Sequence, residues 1–269
     1  MCTNKSKLAL SSLMSPFTIS VSIFGAKATN LAKAAQLGFT VPSGLAISRY
    51  CDIDEFALMA QEIIDRLSMP VAVRSSATKE DSRTEAFAGM FETLLGVGTT
   101  TDLVDAFSKV KNSGANSRIE KYHGEAIPPE FISVLIQEMV DATRAGVAFS
   151  RDPVTGESKV IIESNYGLGK SVVDGDVTPD SIEYLDDDNY ETFIGRKSIQ
   201  VLLDNNGVLV KDTPTIDTNR ISLEREEIKG IAHLAQRVER ELGFPADIEW
   251  AFDADGTLWL LQARPITTL

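Results

Sequence analysis

Two cysteines and two histidines are all that 269 residues hold of those types. Cys2 and Cys51 form no CxxC pair, so the chain supplies no thiolate zinc site of its own. Without secretory context, a reduced, cytoplasmic protein is the expected setting. No segment approaches the ~20 apolar residues of a membrane helix, so no span is expected. Lys5 and Lys7 precede a short, serine-rich apolar run, LALSSLM, which reads as a loose lead-in over residues 1–16. Positive charge is also scarce: 26 basic against 39 acidic side chains leave −13. That balance argues against nucleic acid or an anionic membrane as main partner, although one basic pocket can hide inside an acidic shell. Repeats, low-complexity tracts and obvious linkers are absent.

What is present alternates between helix and strand patterns. KATNLAKAAQLG, beginning at Lys27, has Leu31, Ala34 and Ala35 at helical spacing, with Gly38 as a stop. Residues 54–67 give a second amphipathic helix, and VAVR at 71–74 a short strand running into a dense polar loop. Helices are expected at 102–110 and 116–122, and a buried strand at 132–140. AGVAFSRD, DPVTGE and KVIIESN read as strand, turn and strand, and 181–211 as more sheet. The longest helix is expected at 224–242, with Ser222 as its cap and Gly243 as its end. The fold class is α+β, one domain over 17–269 with lobes of about 17–130 and 131–269.

The last element, ADIEWAFDADGTLWLLQAR, is the most informative. Ile248, Trp250 and Phe252 share one face and Asp247 and Glu249 the other; on the second strand Leu258, Leu260, Gln262 and Arg264 alternate against Trp259, Leu261 and Ala263. Asp255-Gly256 is a strong hairpin signal. A two-residue loop sets Glu249 across from Gln262 and Asp247 across from Arg264; a four-residue loop sets Asp247 opposite Gln262. Either register gathers two carboxylates, an amide and a guanidinium. Such a patch is a solvated outer face with cross-strand ion pairs, or a hard-cation site whose remaining ligands are phosphates.

Several ordered blocks distinguish these readings. VAVRSSATKEDSRTEAFAGMFETLLGV (71–97), LIQEMV (135–140), YGLGKSVVDGDVTPD (166–180) and DIEWAFDADGTLWLLQARPIT (247–267) resemble the nucleotide-binding domain shared by phosphoenolpyruvate synthase, pyruvate phosphate dikinase and rifampin phosphotransferase. FGAKATNLAKAAQLGFTVPSGLAIS (24–48) is similar to that family's opening segment. The resemblance implies an ATP-grasp-like fold with ATP and Mg²⁺ held between two lobes. It implies Lys27, Arg74, Gly89 and Thr93 at the phosphates, and Gln137 with the backbone of Glu138 to Val140 beside the adenine. It implies Glu249 and Gln262, with Asp247 as a further carboxylate, on the metal, and Arg264 on phosphate. Their chemistry agrees: cations at a helix start or strand end bind phosphate, and glycine admits close backbone approach. GLGKS (167–171) imitates the end of a P-loop, but Ser164 stands where its first glycine belongs, and Lys170 replaces the acidic residue usual in the family.

Enzymes of that family pass a phosphoryl group to a histidine on a swivelling domain, which carries it to a small-molecule acceptor on another domain. Neither His123 nor His233 lies in the glycine-rich TSHA-like setting of that carrier. The resemblance therefore implies a separate phosphohistidine carrier as partner, with AMP and phosphate as eventual co-products. A regulatory ATP-binding module, a direct small-molecule kinase, or a domain of a longer enzyme are the alternatives. The segment between Lys27 and Arg74 is short for the family, implying a trimmed first lobe.

Overall fold

A computed structural model describes residues 10–14, 19–77, 81–82, 85–86, 92–115, 127–204 and 207–268. Cys2, Gly89, His123 and the helix expected at 116–122 lie outside them. The chain forms two units. The first holds its described residues up to Gln36 together with Pro42–Met139; the second holds Leu37–Val41 and Val140–Leu269.

In the first unit, runs of β-branched and small residues form a five-stranded antiparallel sheet. Its strands are β1 (Leu10–Ser12), β2 (Gly44–Ile47), β3 (Val71–Ala77), β4 (Thr93–Val97) and β5 (Ile132–Glu138), in the order β1-β2-β5-β3-β4. The lead-in expected over 1–16 is therefore not loose throughout: Leu10 to Ser12 pair with β2, and Leu13 is fully buried. β5 lies at the sheet's centre, between β2 and β3, so the break between units falls after Met139 rather than near 130.

Helices α1 (Val21–Gln36), α2 (Ile53–Arg66) and α3 (Thr100–Asn112) complete this unit. Asp52 caps α2 by accepting from the Glu55 N–H at 2.8 Å, and Thr99 caps α3. Phe56 of α2 and Phe107 of α3 stack with centroids 3.9 Å apart. They pack with Leu45, Val71, Val73, Val134 and Ile136 into one apolar core. Cys51 is buried beside it, and burial pushes its thiol up to about 12. Native protein at pH 8 should therefore resist a thiol reagent at this position, and labelling by mass spectrometry should appear only with denaturant.

Lys111 ends α3 buried, its ammonium donating to the carbonyls of Arg49 and Ile132 (2.6 Å to the latter). Desolvation lowers its pKa from 10.5 to about 8. Because the folded pKa lies below the unfolded one, the fold disfavours the charged form below pH 8, and that penalty is relieved between about 8 and 10.5. Wild-type stability minus that of Lys111→Met should accordingly rise over this window; parallel profiles in denaturant titrations would contradict it.

The second unit is a six-stranded antiparallel sheet. Its members are β6 (Arg144–Phe149), β7 (Val160–Tyr166), β8 (Asp180–Asp186), β9 (Asn189–Phe193), β12 (Ala246–Phe252) and β13 (Leu258–Pro265), in the order β9-β8-β7-β6-β12-β13. A separate ribbon pairs β10 (Ile199–Asp204) with β11 (Gly207–Asp212). Helix α4 (Arg225–Leu242) lies on one face, its buried Ile228, Ile231, Ala235 and Val238 at helical spacing. Glu224, not Ser222, is its cap, exchanging bonds with Glu227 in a capping box, and Gly243 ends it in the left-handed region at φ 85°. Ser222 is instead consumed inside: its N–H donates to Asp180 at 2.7 Å and its hydroxyl meets that of Ser164. Asp180 also binds Lys197 at 2.5 Å, both side chains fully buried, so the charge is paired where it cannot be hydrated.

Candidate functional site

In the first unit the polar candidates collect on the sheet face turned away from α2 and α3. Val71 and Val73 join the core beneath those helices, so Ala72, Arg74 and Ser76 face the other way. Register places Arg74 opposite Thr93 on β4 and Leu135 on β5, and Ala72 opposite Gln137, which itself opposes Gly44. Arg74, Thr93 and Gln137 therefore share one face. Arg74 and Gln137 are buried; Thr93 is half-buried.

The same face receives α1, which begins earlier than its sequence pattern suggests and breaks at Gly25 (φ 75°, ψ 172°). A Cβ at Gly25 would overlap the Ser76 carbonyl, so only glycine lets the helix approach β3 this closely. Ser76 fastens the break, donating to Phe24 O at 2.7 Å and accepting from the Ala28 N–H at 3.1 Å. Lys27 thus stands in the first turn after the break and is 7% exposed. A cation beside a restarting helix is suited to an anion, because the first N–H groups point the same way.

Glu138 is more occupied than expected. Its N–H donates to Ser43 O at 2.9 Å, and its carboxylate accepts from the Ser68 N–H at 2.7 Å. Of the adenine candidates, that leaves the Gln137 side chain on the polar face, with Val140 as the first residue of the chain's return to the second unit.

In the second unit, the C-terminal hairpin pairs Glu249 with Gln262 and Asp247 with Arg264. Nearer the turn the register shifts: Trp250 opposes Leu260 and Phe252 opposes Leu258. The loop is longer than two residues, and a bulge after Glu249 restores the polar pairing. One correction follows. Leu258 and Leu260 share the apolar face with Trp250 and Ile248, whereas Gln262 and Arg264 lie opposite, beside Asp247 and Glu249. Asp253 organises the turn, accepting from Thr257 N–H at 2.8 Å and from the Trp259 indole at 2.8 Å.

This face is no solvated outer surface. Asp247 is 8% and Gln262 3% exposed. Asp247 is held by Arg264, whose Nε and Nη2 reach its Oδ2 at 2.8 and 2.7 Å. Desolvation raises the Asp247 carboxyl, Arg264 offsets this in part, and Glu249 adds to the rise. Asp247 thereby fixes the direction of Arg264 rather than standing ready as a metal ligand. Glu249 and Gln262 present a carboxylate and an amide side by side, a hard oxygen set of the kind Mg²⁺ accepts. Among the described residues no three His, Cys, Asp or Glu side chains close into a metal cage. The pair therefore fits an ion that takes its other oxygens from phosphate and water.

Glu163 escaped the sequence reading. On β7 it opposes Val147, which opposes Glu249, so the three residues and Gln262 form one row across four strands. Desolvation, then the charge of Asp247, raises the Glu163 carboxyl. Only strand order could have revealed it, since KVIIESN gives no hint that β6 and β7 lie beside the hairpin.

The other sequence features fall elsewhere. GLGKS runs into a four-residue helical turn, Lys170–Val173, with Lys170 paired to Asp174, too short for a P-loop helix. His233 meets Asp187 at 3.1 Å and the Tyr184 hydroxyl at 3.3 Å, on the face covered by α4. Among the described residues no helix is long and apolar enough to cross a membrane.

Residues 52–269 match the family model of the pyruvate phosphate dikinase AMP/ATP-binding domain. All the candidate residues except Lys27 lie in that span. A probable phosphoenolpyruvate synthase of Methanothermobacter thermautotrophicus is 38% identical over 205 residues, covering 74% of this chain and 30% of that protein. The uncharacterized phosphotransferase YvkC of Bacillus subtilis is 32% identical over 282 residues, covering 91% of this chain and 33% of that protein. The prodigiosin synthesizing transferase PigC of Serratia marcescens is 38% identical, covering 74% and 23%. The chain thus spans a third or less of the length of these relatives. Among solved structures, an L-amino acid ligase of Bacillus licheniformis aligns at TM-score 0.47 and 14% identity, covering 90% of this chain and 42% of that one. The ADP complex of purK, N5-carboxyaminoimidazole ribonucleotide synthetase, aligns at TM-score 0.46 and 14% identity, covering 91% and 45%.

Proposed function

The chain belongs to the family of pyruvate phosphate dikinase AMP/ATP-binding domains, and from that premise we propose that it binds Mg-ATP and transfers a phosphoryl group to a histidine of a separate swivelling carrier. AMP and phosphate are the eventual co-products, and a small molecule on another domain is the final acceptor. The observation that carries this reading is the C-terminal hairpin, where Glu249 opposes Gln262 and Asp247 aims Arg264 on a face that excludes most solvent.

In this reading Glu249 and Gln262 hold Mg²⁺, which when bound spreads the charge of the polyphosphate. Arg264 directs cationic hydrogen bonds at the phosphates; Lys27, Arg74 and Thr93 of the first unit carry the phosphate-binding chemistry that the family resemblance implies, and Gly89, implied with them, lies outside the described residues. Gln137, with the chain from Glu138 to Val140, recognises the adenine edge. Phosphoryl transfer asks little covalent chemistry of a protein, so positioning and charge supply most of the rate. For AMP and phosphate to be the co-products, the β,γ-pyrophosphoryl group passes to the imidazole nitrogen as its bond to the α-phosphate of AMP breaks, and one water then removes the terminal phosphate, leaving a single phosphoryl group on the histidine.

Support comes from the family match and from the hairpin register that puts a carboxylate, an amide and a guanidinium on one largely buried face. The test combines the chain, labelled ATP, Mg²⁺ and the polypeptide encoded beside it. Acid-labile, base-stable label on a histidine of that polypeptide is expected. Failure to label it while ATP still binds would remove the carrier and leave a nucleotide-binding module.

A further inference from the structure

We propose that Glu163 is a second carboxylate of the divalent-cation site, acting on the water shell of the ion carried by Glu249 and Gln262. This rests on the reading of that pair given above and extends it two strands across the sheet.

Neighbouring strands lie ~4.8 Å apart, so Glu163 and Glu249 stand roughly 10 Å apart at their Cα atoms, with their side chains on the same face. The residue between them is Val147, an apolar side chain that offers no hydrogen bond. Two glutamates flanking such a gap can both reach an ion that keeps several of its waters, as Mg²⁺ does. The next row along the face holds Asp247, Phe149 and Ile161, and the Asp247 charge is already answered by Arg264.

Glu163 itself is half-buried and meets the opposite treatment. Its surroundings among the described residues supply desolvation and a like charge, and no cation or hydrogen bond offsets them. Lys159, near in sequence, is spent on Glu183 and Asp152. A carboxylate kept in such a place weakens the fold rather than strengthening it, because its ionised form is disfavoured there. A cation brought in with the nucleotide relieves that penalty. The arrangement matches a charge retained for binding, and outer-shell groups of this kind change metal affinity by about 10–100-fold.

The experiment titrates ATP calorimetrically into the full chain at a series of Mg²⁺ concentrations, and without metal, for wild type and Glu163→Gln. The variant should need about tenfold more Mg²⁺ for half-saturation, while metal-free ATP affinity is unchanged and the melting temperature is no lower than wild type. Glu163→Asp should restore part of the lost Mg²⁺ affinity. An identical Mg²⁺ dependence in variant and wild type overturns the proposal. So does an equal loss with and without metal, since a purely structural residue behaves that way. Wild type that binds ATP with no Mg²⁺ dependence sinks the Glu249–Gln262 reading and this inference with it.

Discussion

Glu249→Ala should bind ATP no better with Mg²⁺ than without it, and phosphoryl transfer should fall by on the order of 10²–10³-fold. The pairing across the bulged hairpin explains the size of the effect. Glu249 contributes the carboxylate directly opposite Gln262, and Asp247 cannot substitute because Arg264 holds it through Nε and Nη2. The side chain is half-buried at the sheet surface, so the fold should tolerate its loss with little change in melting temperature. Titration of a fluorescent ATP analogue with and without Mg²⁺ reads the first effect directly. A variant that keeps the full Mg²⁺ enhancement would show that the metal is held elsewhere.

The second large effect should come from a residue with no side chain. Gly25→Ala places a methyl group onto the Ser76 carbonyl and onto a backbone conformation, φ 75° and ψ 172°, that is almost closed to other residues. Strain of that kind together with overpacking costs about 2–5 kcal/mol. Relief requires α1 to lift from β3, which breaks the bonds of Ser76 to Phe24 and Ala28 and moves Lys27. Both stability and nucleotide affinity should fall, the affinity by at least about tenfold given a lost charge-assisted contact. Lys27→Met isolates the second effect, since it should lose affinity while keeping most of the stability. If Gly25→Ala melts like wild type, the close approach of α1 to β3 is wrong.

Much of the site was legible in local sequence, and the reasons are specific. The hairpin could be read because strand alternation and Asp255-Gly256 act over a few residues, so the sharing of a face by Asp247, Glu249, Gln262 and Arg264 survived an error in loop length. What failed was the face of Leu258 and Leu260, because a bulge reverses alternation without any composition signal. The cap of α4 was misplaced for a comparable reason. Ser222 has the preferred cap chemistry, but Asp180 claims its N–H from 42 residues away. Gly25 and Glu163 were invisible for a deeper one. Their roles depend on which strands lie beside them, and strand order in an antiparallel sheet is set by long-range packing. The break between units shifted likewise, since β5 looks the same in sequence whether it closes one sheet or centres another.

The central claim is that Glu249, Gln262 and Arg264 of the C-terminal hairpin, with Glu163 in the same row, serve the metal and phosphates of a bound nucleotide. The most direct measurement is a calorimetric titration of the full chain with ATP, in the presence of Mg²⁺ and in its absence. Binding of about one ATP per chain, tightened by Mg²⁺ and weakened by Arg264→Ala, is the expected result. Absence of binding under both conditions, or binding that ignores both Mg²⁺ and the loss of Arg264, would contradict it.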